Sequence, residues 1–204
     1  MHLSPEELER IFDSSFPAPI QQALVQAVFN TYDVAYEHCT RFHDEEARDF
    51  RGHYRWIHLR DQWRGLSGRF PVMQASAEKY HTLLQAGQMK LTACSLRQVA
   101  DPIKFAYYRQ EYALESNLNL FTPEEPLPDD GYIYGIFIHG VDLLEPRQPG
   151  FGRVVFPTAD LETRIHEIDL FNRFGELVLS LRTPVDPQVE PNIRIRPRKD
   201  RKQK

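Results

Sequence analysis

Between Pro19 and Phe42 the apolar residues Ile20, Ala23, Leu24, Ala27, Val28, Tyr32, Ala35, Cys39 and Phe42 return at steps of three and four. That spacing lines one face of an α-helix, so a long helix with one buried side is predicted there. Ahead of it, "SPEELERIF" supplies Ser4 as an N-cap, Pro5 at the first helical position and Glu7 three residues after the cap. Together these form a capping box that satisfies otherwise orphaned backbone N–H groups, and a short helix starts there. Asp44 can cap a third helix running to about Trp63, with Ala47, Phe50, Tyr54 and Ile57 as its expected buried face and Gly65, Gly68 and Pro71 as its stop. A fourth helix is predicted over 72–86, ended by Gly87.

The pattern then changes. "QMKLTACS" reads as a short strand, and Asp101-Pro102 opens a helix through "IKFAYYRQEYALES". "TPEEPLPDDG" has three prolines and four acids in ten residues, a connection that cannot hold regular hydrogen bonding. Beyond it, "YIYGIFIHG", "GRVVFP" and "TRIHEIDL" read as strands. The first is nearly all apolar and so is expected at the centre of a sheet. A last helix, "FNRFGELVLSLR", precedes the C-terminal tail. The expected fold is α+β: about five N-terminal helices, a small and mostly antiparallel sheet, a C-terminal helix and a basic tail. The corresponding divisions are a helical region over 1–121, a connection over 122–131, a strand-rich region over 132–183 and an extended tail over 184–204.

A length of 204 residues is enough to bury a core without metals or disulfides, and 41% apolar with 26% charged residues is ordinary for a globular chain. No apolar run is long enough to cross a bilayer, and no secretory signal is visible. Two cysteines, Cys39 and Cys94, cannot build a disulfide framework, so a cytoplasmic protein with free thiols and no cofactor is expected. The net charge of −4 conceals an asymmetry. Arg194, Arg196, Arg198, Lys199, Arg201, Lys202 and Lys204 crowd the last eleven positions against one acid, which leaves about −10 on the rest. A basic tail on an acidic body is where nucleic acid or another polyanion would bind.

The densest chemistry lies in "FHDEEARDFRGHYRWIH", residues 42–58. Arg48, Arg51, Arg55 and His58 form a stripe beside the apolar one and could follow a phosphate backbone, or could simply pair with Asp44 and Glu45 on a solvated face. Metal is disfavoured, because histidines five apart on a helix diverge by about 140° and cannot reach one ion. "RDFRGH" places a polar residue directly after Arg48 and His53 five positions on. It resembles the Arg-polar-x-x-x-His motif of the HEPN superfamily of helical domains. The resemblance implies metal-free RNA cleavage in a dimeric site, with Arg48 stabilising phosphate charge and His53 moving protons or positioning the 2′-hydroxyl.

Phosphate-loop, nucleophile-elbow and dinucleotide signatures are absent from the sequence. His139 and His166 sit on candidate strands and are read as structural histidines with satisfied hydrogen bonds. Phe105, Tyr108 and Tyr112 gather near one helix face with Arg109 nearby, while Trp56, Arg60 and Trp63 occupy a separate face of the third helix. Those residue types anchor protein interfaces. The sequence therefore leads to a non-catalytic subunit or adaptor of an assembly, with protein contact or self-association through Trp56, Arg60 and Trp63 and nucleic acid at the tail. The alternative is a HEPN-like endoribonuclease using Arg48 and His53, with Arg51 and Arg55 guiding RNA.

Overall fold

A computed structural model describes residues 3–78, 80–117 and 131–182. Three helices, α1 (Pro5–Ser15), α2 (Ala18–Cys39) and α3 (Asp44–Arg69), lead into strands β1 (Met73–Ala77), β2 (Thr82–Ala86) and β3 (Met89–Ser95). Helix α4 (Tyr107–Asn117) follows, then β4 (Ile133–Val141), β5 (Pro149–Pro157), β6 (Arg164–Asp169) and two short helices, α5 (Leu170–Arg173) and α6 (Gly175–Leu181). The protein is thus α+β, with a six-stranded sheet in the order β1-β2-β3-β4-β5-β6. Every neighbouring pair is antiparallel except the central β3 and β4, whose parallel pairing requires the crossover that carries α4.

Local signals account for several elements. Ser4 Oγ accepts from Glu7 N at 3.2 Å while Ser4 N donates to Glu7 Oε2 at 2.8 Å, the reciprocal box expected for α1. In α2, Ile20, Ala23, Leu24, Ala27, Val28, Tyr32, Ala35 and Cys39 are all buried, while Phe42, past its end, is exposed. Strand β4 is buried on both sides. Phe137 meets the core under α1, α2 and α3 with Leu24, Val28, Trp63 and Leu91, whereas Ile136 and Ile138 meet Ile103 and Ala113 on the α4 side.

Elsewhere long-range pairing overrides the sequence pattern. Residues 72–86 form the hairpin β1–β2 rather than a fourth helix, because β2 finds a partner immediately downstream: Ala86 pairs with Met89 and Leu84 with Leu91. Gly87, at φ 51°, opens the two-residue loop between them, a conformation a hairpin of this length requires at one of its central positions. Three strands of the sheet therefore arise within 1–121, and α1 to α4 are the described helices of that stretch. Helix α4 starts at Tyr107 rather than after Pro102, and the last helix is two short ones broken at Phe174.

Helix α3 also faces differently from the prediction. Of the stripe Ala47, Phe50, Tyr54 and Ile57, only Ala47 is buried, and Phe50 and Ile57 are exposed. The core instead takes Leu59, Trp63 and Leu66, since α3 lies against α2 on one side and against β1 and β2 on another. Two apolar stripes compete on this helix, and the sheet decides between them.

Four arginines, Arg147, Arg153, Arg164 and Arg173, pair with carboxylates of the same chain. Arg173 reaches Glu9 at 3.2 Å and Asp13 at 2.5 Å, tying α5 to α1. Arg153 reaches Glu167 at 3.1 Å and Asp169 at 3.0 Å, Arg164 reaches Glu167 at 2.8 Å, and Arg147 pairs with Asp33 and with Glu37 at 2.7 Å. Among the described residues, Cys39 and Cys94 are free and buried, and no helix is long and apolar enough to cross a membrane.

Candidate functional site

The parallel pairing of β3 and β4 ends with Ser95 beside His139, two residues short of the end of β4. Near the carboxyl ends of this parallel pair a crevice opens beside the sheet. Helix α3 roofs that crevice with Gly52, Arg55, Trp56, Leu59, Arg60 and Trp63, residues spaced at three and four along one side of the helix. The turn into β2 contributes Tyr80, His81 and Thr82, and the α4 crossover contributes Lys104, Tyr108 and Arg109. The cavity has a volume of about 340 Å³.

Its floor includes His139, which is backed by a buried tyrosine. His139 Nδ1 lies 3.0 Å from the hydroxyl of Tyr32, and both residues are buried. Burial drives the His139 imidazole down to a pKa of about 3, and the charges of Arg55 and Lys104 add to the effect. His139 is therefore neutral at physiological pH and can still offer or accept a hydrogen bond. Burial likewise raises Tyr32, against the opposing pull of Arg55, whose guanidinium carbon sits 4.5 Å from the tyrosine ring centroid.

The side walls are aromatic and held by backbone. His81 stacks on Tyr108 with ring centroids 3.8 Å apart and planes 6° from parallel, and its Nε2 lies 3.2 Å from the Tyr112 hydroxyl. Burial depresses His81, Glu78 opposes this, and Arg109 and Arg60 reinforce it. Arg60 lies 4.7 Å over the Trp56 ring and donates to the carbonyl of Glu78 at 2.5 Å, while Trp56 Nε1 donates to the carbonyl of Tyr80 at 3.3 Å.

Arg109, 8% exposed, donates from Nη1 to the Lys104 carbonyl at 2.7 Å and from Nη2 to the Ala93 carbonyl at 3.0 Å. Those carbonyls fix the guanidinium in place without neutralising it. Four cations, Arg55, Arg60, Lys104 and Arg109, thus border the cavity, and its described lining includes no carboxylate. Among the described residues, Arg55, Lys104 and Arg109 have no carboxylate within ion-pair reach. Trp63 Nε1, Arg55 Nε and Arg109 Nε are buried without a hydrogen-bond partner among those residues.

The residues singled out from the sequence separate accordingly. Trp56, Arg60 and Trp63, expected to face a protein partner, face this cavity, Trp63 almost fully buried and in edge contact with Phe137 at 5.9 Å. Arg55, expected along a phosphate-following stripe, enters the cavity as well, while Arg51 lies over the Tyr36 ring at 5.5 Å. Arg48 and His53 are both exposed outside it, His53 with its ring 5.5 Å from that of Trp56. His166 is held by Glu9 at 3.1 Å. The tail from Arg194 to Lys204 lies outside the described residues, as does the connection at 122–131 but for its last position. Lys104, Arg109 and His81 were not legible as a site. Their one sequence signal was the local density of tyrosine around Arg109. Comparison with known protein families, with curated proteins and with solved structures finds no match to this chain.

Proposed function

We propose that this protein is a binding protein that takes a small ligand bearing a phosphate or carboxylate into the cavity between α3 and the ends of β3 and β4. The observation that carries this is the charge of the lining: four cations and no described carboxylate on a chain of net charge −4. Like charges converging on a partly desolvated space cost stability unless a counter-charge joins them. An anion entering the cavity supplies it and gains charge-assisted hydrogen bonds. This keeps the non-catalytic role expected from the sequence and moves its point of contact from an outward helix face to an internal cavity.

The chain's two tryptophans, Trp56 and Trp63, both line the cavity, so intrinsic fluorescence reports occupancy. Titration with inorganic phosphate and pyrophosphate is expected to change the emission saturably, with the affinity reduced in Arg55→Gln. A flat response to both anions, with no rise in melting temperature, would reject the proposal.

A second reading draws on the outer face of α3. Arg48 and His53 are exposed there, as are Phe50 and Ile57. An exposed apolar pair beside that arginine and histidine is what a second copy of the helix would cover in the dimeric ribonuclease arrangement. Its test is RNA cleavage that survives EDTA and disappears in Arg48→Ala and in His53→Ala.

A further inference from the structure

Burial changes along the cavity and separates a floor from a mouth. Trp63, His139 and Arg109 are 1%, 4% and 8% exposed, whereas Trp56 and Tyr80 are 40% and 60% exposed. The two ends also differ in chemistry. At the floor, Trp63 Nε1 and Arg109 Nε are buried donors without an acceptor among the described residues. Buried donors in folded proteins are nearly always satisfied, so a pair of orphans beside one cavity points to an acceptor from outside the chain. At the mouth lies flat ring surface held in a fixed plane. The Trp56 indole is tethered through Nε1 to the Tyr80 carbonyl and backed by the Arg60 guanidinium.

A bare inorganic anion would use the floor and leave the mouth unexplained. The volume of about 340 Å³ lies in the range typical of pockets for whole organic ligands, roughly 300 to 1,000 Å³. Exposed aromatic rings beside a cationic groove are the means by which proteins hold nucleobases, because every base presents a π-face and stacking does not depend on its identity. Resting on the anion-site reading above, we propose that the ligand is a nucleoside phosphate, free or as the terminal residue of a strand. Its phosphate lies toward Arg55, Arg109 and the neutral His139, and its base stacks at Trp56.

Calorimetry on the full chain tests this with inorganic phosphate, ribose 5-phosphate, AMP, UMP, adenosine and a 5′-phosphorylated tetranucleotide. AMP and UMP are expected to bind at least about fivefold more tightly than ribose 5-phosphate, the low end of what one stacked base contributes. Adenosine, without the phosphate, is expected to bind more weakly than AMP. Trp56→Ala should abolish the advantage of the nucleotides over ribose 5-phosphate, with circular dichroism confirming that the variant is folded. Equal affinity for ribose 5-phosphate and both nucleotides would overturn the nucleoside assignment and leave the anion site standing. Adenosine binding as tightly as AMP would overturn it too. Absence of binding by every phosphate, inorganic phosphate included, would overturn both. A tetranucleotide that binds more tightly than AMP supports a strand terminus as the source, and one that binds equally or more weakly supports a free nucleotide.

Discussion

Two groups of arginines in this protein are treated in opposite ways. At the β5–β6 end and along α1 and α2, Arg147, Arg153, Arg164 and Arg173 each meet at least one carboxylate of the same chain. At the ends of β3 and β4, Arg109 meets two carbonyls and the Tyr108 ring, and Arg55 meets the Tyr32 ring, but neither meets a described carboxylate. In the first group Arg147 and Arg173 join elements distant in sequence, Arg153 bridges β5 and β6, and Arg164 pairs three residues along β6. The second holds positive charge in position with no carboxylate paired to it among the described residues. The chain as a whole is acidic, yet among the described residues no carboxylate lines the cavity.

Acid titration should separate the two regions most strongly. His139 is depressed to about 3 from 6.5, chiefly by burial and then by Arg55 and Lys104. Below pH 6.5 the unfolded chain binds a proton that folded His139 refuses, so stability falls as the pH drops from there toward 3. At about 1.4 kcal/mol per unit, the loss between pH 6.5 and 5 is roughly 2 kcal/mol. Burial raises Glu167, but hydrogen bonds from Arg164 and Arg153 outweigh it and leave it below 4.5. Its stabilisation is present above 4.5 and is lost only as the pH falls below that. Chemical denaturation of wild type and His139→Asn at pH 7 and pH 5 should therefore show a much shallower loss in the variant. Parallel losses in the two proteins would remove the distinction.

Next in size is Arg55→Met. Removing a cavity charge relieves repulsion, so melting temperature should hold or rise while affinity for inorganic phosphate falls about tenfold, the worth of one charge-assisted contact. A fall in stability would mean that Arg55 belongs with the paired group. The mirror test is Arg173→Met, which leaves Asp13 without its cation and Glu9 with His166 alone. It should cost about 1 kcal/mol, a small figure because both carboxylates are well exposed, and should leave phosphate affinity unchanged. Smallest of all, Arg48→Ala and His53→Ala alter exposed side chains and should each stay within roughly 0.5 kcal/mol of wild type with phosphate binding intact. EDTA-resistant RNA cleavage by the wild type that both variants lose would shift the functional end of the molecule to the outer face of α3.

Parts of the site were readable before folding and parts were not. Trp56, Arg60 and Trp63 stood out because they recur on one helix face, and the structure puts all three on one cavity wall. Facing could not be read, since α3 carries two apolar stripes of similar weight. Phe50 and Ile57 lost the competition to Leu59, Trp63 and Leu66 once β1 and β2 lay beneath the helix. Lys104 and Arg109 had no pattern connecting them to α3, because a crossover between parallel strands brings together residues some fifty positions apart and leaves no periodic trace.

Sequence alone determined what depends on neighbours along the chain: the reciprocal cap of α1, the buried face of α2 and the centrality of β4, whose unbroken apolar run could be satisfied only by cover on both sides. Tertiary structure alone decided the β1–β2 hairpin over a fourth helix, because the hydrogen-bonding edge of β3 outweighs a weak local preference. It also decided the cavity itself. The charges of Arg55 and Arg60 on α3 and of Lys104 and Arg109 on the crossover come together only beside the end of the parallel pairing, and that juxtaposition is a property of the sheet rather than of any stretch of residues.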